Sequence, residues 1–162
     1  MTAGMQIRVD DLQGPEIRAL LAEHLAQMHA DSPPESVHAL DLTQLRQPGI
    51  TFWTIWDAPQ GSDGPGLLLG CGALKQLEPG HAELKSMRTP AALRGRGAGR
   101  AMLLHIIQEA RMRGLRRLSL ETGSQDSFLP ARRLYASAGF VETGPFADYA
   151  EDPYSVFMTL AL

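Results

Sequence analysis

The sequence predicts a mixed α/β fold, and three observations carry that prediction. Segments with apolar residues at helical spacing are interleaved with β-branched, aromatic or alternating runs. Their order is strand, helix, helix, three strands, helix, strand, helix, two strands. The 162 residues are 44% hydrophobic and 20% charged, the balance of a globular chain long enough to bury a core. A glycine-dense turn, Arg94-Gly95-Arg96-Gly97-Ala98-Gly99, opens straight into the most regular helical pattern of the chain. No internal repeat is visible, and residues 1–162 read as a single domain.

Met5 to Val9 reads as the first strand. Gly14-Pro15 starts a helix, because proline at the first helical position gives up no needed hydrogen bond. Ile17, Leu20, Leu21, His24 and Met28 share one face of it, and Ser32-Pro33-Pro34 ends it. Val37 to Leu45 is predicted as a second, shorter helix, closed by Pro48-Gly49. Thr51 to Trp56 is a strand by its β-branched and aromatic content. Pro59 to Gly66 is linker-like and suits a loose hairpin loop. Leu67 to Leu74 is almost continuously apolar, as in a central strand covered on both faces. Pro79-Gly80 turns the chain, and Ala82 to Thr89 is the strand leading to the glycine turn. In the helix Gly99 to Arg113, Leu103, Ile106, Ile107 and Ala110 form the buried stripe, and Gly114 caps its end. Leu115 to Thr122 is a strand, and Leu129 to Ala138 is a short helix ended by Gly139. Phe140 to Thr143 and Tyr154 to Leu160 are the closing strands.

Composition removes several function classes. The net charge of −3 lacks the basic excess of an extended nucleic-acid surface, so no nucleic-acid partner is expected. Basic residues instead gather between Arg88 and Arg117, which favours one local anion pocket. Cys71 is the sole cysteine, which excludes an intrachain disulfide framework and a thiolate metal cluster, and the five histidines show no metal-site pairing. Met1 to Met5 lacks the organisation of a secretion signal, and no apolar run has the length of a membrane span. A cytoplasmic protein without a membrane partner or a metal is the expectation.

The glycine turn is where chemistry first becomes legible. The first turn of a helix leaves backbone N–H groups without partners and carries a partial positive charge. Glycines let that backbone approach an anion, and the flanking arginines add charge and donors, so the turn suits a phosphate or pyrophosphate. A P-loop would need Gly-Lys-Ser or Gly-Lys-Thr, whereas Gly99 is followed by Arg100-Ala101. A dinucleotide fold would place its turn after the first strand, not in the second half of the chain.

Arg94-x-x-Gly97-x-Gly99, preceded by Leu84-Lys85-Ser86-Met87-Arg88-Thr89, resembles the acyl-CoA-binding motif of the GCN5-related N-acetyltransferase (GNAT) superfamily. The later Ala131 to Phe140, with Leu134-Tyr135 and Gly139-Phe140, is similar to that superfamily's second signature. The resemblance implies a mostly antiparallel sheet of about seven strands with a splayed central pair, flanked by about four helices. It implies acetyl-CoA as co-substrate, with its phosphates against Arg94, Gly95, Arg96, Gly97, Ala98, Gly99 and Arg100. Met87, Arg88 and Thr89 would line the pantetheine arm, with the Met87 N–H aimed at the thioester oxygen. Such a preorganised donor favours an oxygen that gains negative charge. An amine attacks only when neutral, so a base must take its proton; Glu83 is the candidate and Glu121 its rival. Tyr135 matches the tyrosine that acts as general acid on the leaving thiolate, although core packing would also account for it.

The sequence departs from the superfamily at two points. Phe128 stands where an asparagine often lies seven residues before the tyrosine, and Pro90 is one residue further from Arg94 than usual. The acceptor side would draw on Glu35, His38, Asp41, Glu121, Tyr149 and Asp152, whose acidic and aromatic character points to a small primary amine. A protein amine, a homodimer, and a non-catalytic acyl-CoA-binding regulator using the same cleft are all compatible with this pattern.

Overall fold

The computed structural model describes residues 4–57 and 66–162. The loop expected for Pro59 to Gly66 lies, apart from Gly66, outside the described residues, as do residues 1–3. Among the described residues, seven strands form one sheet in the order β1-β2-β3-β4-β5-β7-β6. They are β1 (Met5–Val9), β2 (Ile50–Asp57), β3 (Leu67–Glu78), β4 (His81–Arg88), β5 (Arg117–Gly123), β6 (Val141–Thr143) and β7 (Ser155–Ala161). The helices are α1 (Pro15–Asp31), α2 (Leu42–Leu45), α3 (Ala98–Met112) and α4 (Leu129–Ser137). Every neighbouring pair is antiparallel except β4 and β5, which α3 joins by a crossover.

The sheet divides two apolar layers. On one side α3 delivers Met102, Leu103, Ile106, Ile107 and Ala110 against Leu69, Leu74, Leu84 and Leu118. On the other, Ile17, Leu20 and Leu21 of α1 join Leu45, Phe52, Trp56 and Cys71. β3 is covered on both faces, as its continuous apolar run requires. At Gly72 a Cβ would come within 3 Å of Ile106, Met87 and Met102, so glycine lets α3 lie directly on the strand. β3 continues past the apolar run to Glu78, because Lys75 to Glu78 alternate in burial as the cover ends.

The second helix is shorter than its sequence suggests. Only Leu42–Leu45 is α-helical; Pro34–Ser36 forms a single 3-10 turn, and residues 37–40 carry no helix. Asp41 explains the late start. Its carboxylate accepts from the Gln44 N–H at 2.8 Å while the Gln44 side chain accepts from the Asp41 N–H at 2.9 Å, a capping box that fixes the N-terminus there.

The most consequential feature is where β4 leaves β5. The two strands pair only from His81 to Glu83 against Arg117 to Ser119. Beyond that point the β3–β4 register shifts by one residue between Cys71 and Ala73, and Ser86 adopts φ +56°. An extra residue in one strand bends it and re-aims its side chains. Met87 therefore turns toward α3, Arg88 turns toward α1, and a wedge opens between β4 and β5.

Candidate active site

A cleft of about 620 Å³ runs from the glycine turn through the wedge to the α1 face of the sheet. At its outer end Gly95 and Gly97 have φ +84° and +85°, and a Cβ at either would meet nothing within 4 Å. Gly97 is the N-cap of α3 and offers no side-chain cap, so the first-turn N–H groups face the cleft unblocked. Arg94, Arg96 and Arg100 are exposed around this turn, while Ala98 is buried beneath it. Thr89 Oγ1 sits 3.7 Å from where a Gly99 Cβ would be, so strand and helix are closely packed. Open amides, a helix N-terminus and three cations fit the diphosphate of acetyl-CoA.

The inner end gathers residues from four separate elements. Glu83 is 2% exposed, and its Oε2 accepts from the Tyr149 hydroxyl at 2.5 Å and from Lys85 Nζ at 3.1 Å. Lys85 Nζ also donates to Tyr149 Oη at 2.9 Å. Burial and the adjacent Glu83 charge push the Tyr149 phenol up, so it stays protonated and donates. His38 packs edge-on against Tyr149 with centroids 5.0 Å apart; burial and then the Lys85 charge lower its pKa.

Glu121 has a different environment. Ser155 Oγ donates to its Oε2 at 2.9 Å, but burial outweighs that bond and pushes the carboxyl up to about 7. Tyr135 is 7% exposed, packs 6.0 Å from Phe140 by ring centroids, and lines the same cleft. Burial and then the Glu121 charge raise its pKa, which keeps the phenol protonated.

The cleft thus brings together Glu83, Glu121, Tyr135, Met87, Arg88, Thr89, His38 and the turn Arg94 to Arg100. The Arg88 guanidinium points elsewhere than the phosphates: its NH2 donates to Glu23 of α1 at 2.8 Å. Tyr149 closes the cleft from behind Glu83 and, with Glu35 and Asp152, lines a second hollow of about 710 Å³. Asp41 lines neither space and serves as the α2 cap. Asp152 accepts from Ser36 Oγ at 2.6 Å and is held below the usual carboxylate range by that bond. Lys85 pairs with Glu83 rather than with Glu121.

Sequence reasoning missed several members of this site. Ser155 and the Glu23–Arg88 pair carry no local signal, because their roles exist only through packing. His24, placed by its spacing on the apolar face of α1, is 6% exposed but also lines the cleft, and it is driven down to about 4 by burial and the Arg88 charge. Phe128, in place of the expected asparagine, lays its ring on Gly123, where a Cβ would come within 3 Å of three ring atoms. The neighbouring carbonyls of Gly123 and Gln125 accept instead from Arg132 NH1, at 2.6 and 3.0 Å. Among the described residues no group of three or more His, Cys, Asp or Glu is placed to hold a metal ion, and no helix is long and apolar enough to cross a membrane.

Residues 16–140 match the Acetyltransferase (GNAT) family. The chain is 54% identical over 158 residues to the uncharacterized N-acetyltransferase YsnE of Bacillus subtilis (strain 168), covering 98% of this chain and 100% of that one. It is 48% identical over 156 residues to the uncharacterized N-acetyltransferase YedL of Escherichia coli (strain K12), covering 96% and 94% respectively. A crystal structure from Klebsiella pneumoniae, described as an acyl-CoA N-acyltransferase, superposes with a TM-score of 0.78 at 31% identity and covers 98% of this chain and 97% of that one. With most of its length matched to one family, and relatives this close along nearly its whole extent, the chain belongs to the GNAT family of acetyl-CoA-dependent N-acetyltransferases.

Proposed function

We propose that the enzyme acetylates a small primary amine by direct attack, with Glu121 as general base and Tyr135 as general acid. The observation that carries this reading is the contrast between the two carboxylates of the cleft. Glu83 carries Lys85 and Tyr149 together on its Oε2, whereas Glu121 has one hydroxyl partner and a proton affinity poised at about 7. A base near the working pH combines an ionised fraction with real basicity. Glu83, the residue first suggested by the sequence, then acts by holding Lys85 and Tyr149 in place at the back of the cleft.

Acetyl-CoA supplies the activated acyl carbon. The main-chain amides of Gly95 to Gly99, helped by Arg94, Arg96 and Arg100, hold its phosphates, and the β4 backbone at Met87, Arg88 and Thr89 orients the pantetheine arm. Glu121 takes the ammonium proton, the neutral amine bonds to the thioester carbon as the carbon–sulfur bond breaks, Tyr135 gives a proton to the departing sulfur, and the second proton lost by the nitrogen restores the phenol. His38, Glu35, Tyr149 and Asp152 border the acceptor side, and their negative and aromatic character suits a cationic amine.

Incubation with acetyl-CoA and an amine panel should release free thiol in sustained, amine-dependent fashion. Acetyl-CoA binding without turnover across a broad panel would replace the enzyme with an acyl-CoA sensor. Tyr135→Phe should lower kcat about tenfold while changing acetyl-CoA affinity little, the signature of a group used in the transition state. An unchanged kcat would remove Tyr135 from the mechanism.

A further inference from the structure

We infer that the acceptor carries a carboxylate, bound by Arg88 on the α1 wall of the cleft, so that the natural substrate class is an α-amino acid or an equally short zwitterionic amine. The inference rests on the transferase reading of the same cleft and adds the group that orients the acceptor.

Among the described residues, three buried polar atoms of the cleft lining lack any protein partner: Arg88 Nε, Ser86 Oγ and His24 Nδ1. All three residues line the cleft. Buried polar groups are almost always satisfied, and each orphan costs on the order of 1–3 kcal/mol. Three together in one cleft lining mark a place where a ligand group belongs. Each can donate: the guanidinium always, the serine hydroxyl by rotation, and the neutral imidazole in one tautomer. A set of donors around a fixed cation calls for an anionic oxygen ligand.

The Glu23–Arg88 pair has the asymmetry such a role needs. The Arg88 side chain is 9% exposed and fixed by the bulge in β4, while Glu23 is 43% exposed on the outer surface of α1. Glu23 engages one nitrogen of the guanidinium, leaving Nε free for the planar fork that a carboxylate can accept. An incoming carboxylate can displace the exposed Glu23, whereas the buried arginine has nowhere to go.

Spacing and polarity agree. Counted from the last paired residues, Glu83 and Ser119, Glu121 lies two positions on in β5 and Arg88 five positions on in β4, so Arg88 sits further along the wedge than Glu121. An α-amino acid separates its nitrogen from its carboxylate oxygens by about 3 Å, and a hydrogen bond of about 3 Å at each end brings the span to about 9 Å. The Glu121 carboxylate faces the ammonium, and the positive pole at Arg88 faces the carboxylate. The phosphates of acetyl-CoA have their own cations in Arg94, Arg96 and Arg100 and need nothing from the α1 wall.

The test is a set of matched acceptors: α-amino acids, their amides, and the corresponding decarboxylated amines. Turnover is measured at fixed acetyl-CoA, and binding to the CoA-loaded protein is measured by calorimetry. Carboxylated members should exceed their partners at least tenfold in kcat/KM and bind correspondingly tighter. Arg88→Gln should raise KM for the carboxylated series about 10- to 100-fold with a smaller change in kcat, and narrow the preference over the amides; Arg88→Lys should recover part of the loss. Equal turnover and equal binding across the pairs would overturn the carboxylate site while leaving the transferase intact. Amino acids that bind selectively but never turn over would uphold the site and overturn the transferase reading. An unaltered KM in Arg88→Gln would also dismiss it.

Discussion

Glu121→Gln is expected to lower kcat at neutral pH by about 100- to 10,000-fold, the range over which a positioned general base contributes. The wild-type rate should rise with pH through about 7 as the Glu121 carboxyl loses its proton, and the variant should lose that inflection. Because an amine that is already neutral needs no base, part of the variant's deficit should recover in strongly alkaline buffer. The same substitution has a second, opposite signature. Burial raises the Glu121 carboxyl from 4.5 to about 7, so in that window the folded chain keeps a proton that the unfolded chain has released. Stability therefore falls as pH rises from 4.5 to about 7, by up to roughly 3 kcal/mol. Glutamine cannot ionise, and the variant's Tm should exceed that of the wild type above pH 7 and approach it below pH 4.5. Loss of activity with gain of alkaline stability is the combination expected of a strained catalytic carboxylate. Should Glu83→Gln instead cause the larger kinetic loss, with the inflection kept in Glu121→Gln, the base is Glu83.

Gly97→Glu is expected to weaken acetyl-CoA binding by at least about 100-fold, measured by calorimetry. Two independent effects add. The φ of +85° at this N-cap is a conformation that L side chains rarely adopt, so any replacement strains the turn. The space in front of Gly97 is open, so the new side chain fits but places a carboxylate beside the first-turn N–H groups of α3, where the phosphates would lie. Gly97→Ala separates the two, since it keeps the strain without the charge and should lose considerably less. Equal losses in both variants would make backbone geometry the whole effect. Unchanged affinity in Gly97→Glu would displace the co-substrate from this turn altogether.

Much of the architecture was legible because its signals are local. The face of α3 follows from apolar spacing, β3 from an unbroken apolar run, and the ends of α1 from Pro15 and Ser32-Pro33-Pro34. The extra helical length expected at Val37 to Asp41 failed for a local reason of another kind. A capping box at Asp41 outranks the weak helical spacing before it, and Ser36 is drawn toward Asp152, far away in sequence. The splay between β4 and β5 followed from the family resemblance and could not be read from the strands themselves. It depends on the bulge at Ser86 and on a register that only neighbouring strands define.

The sequence by itself determined the glycine turn ahead of α3, the order of elements and the family, because helical period, strand period and glycine's tolerance of positive φ act over a few residues. Tertiary structure alone decided how differently the two candidate carboxylates are held. Tyr149 reaches Glu83 across 66 positions and Ser155 reaches Glu121 across 34, and burial by the assembled sheet raises the proton affinity of Glu121. Desolvation has no representation in a string of residues until distant segments pack together and exclude water.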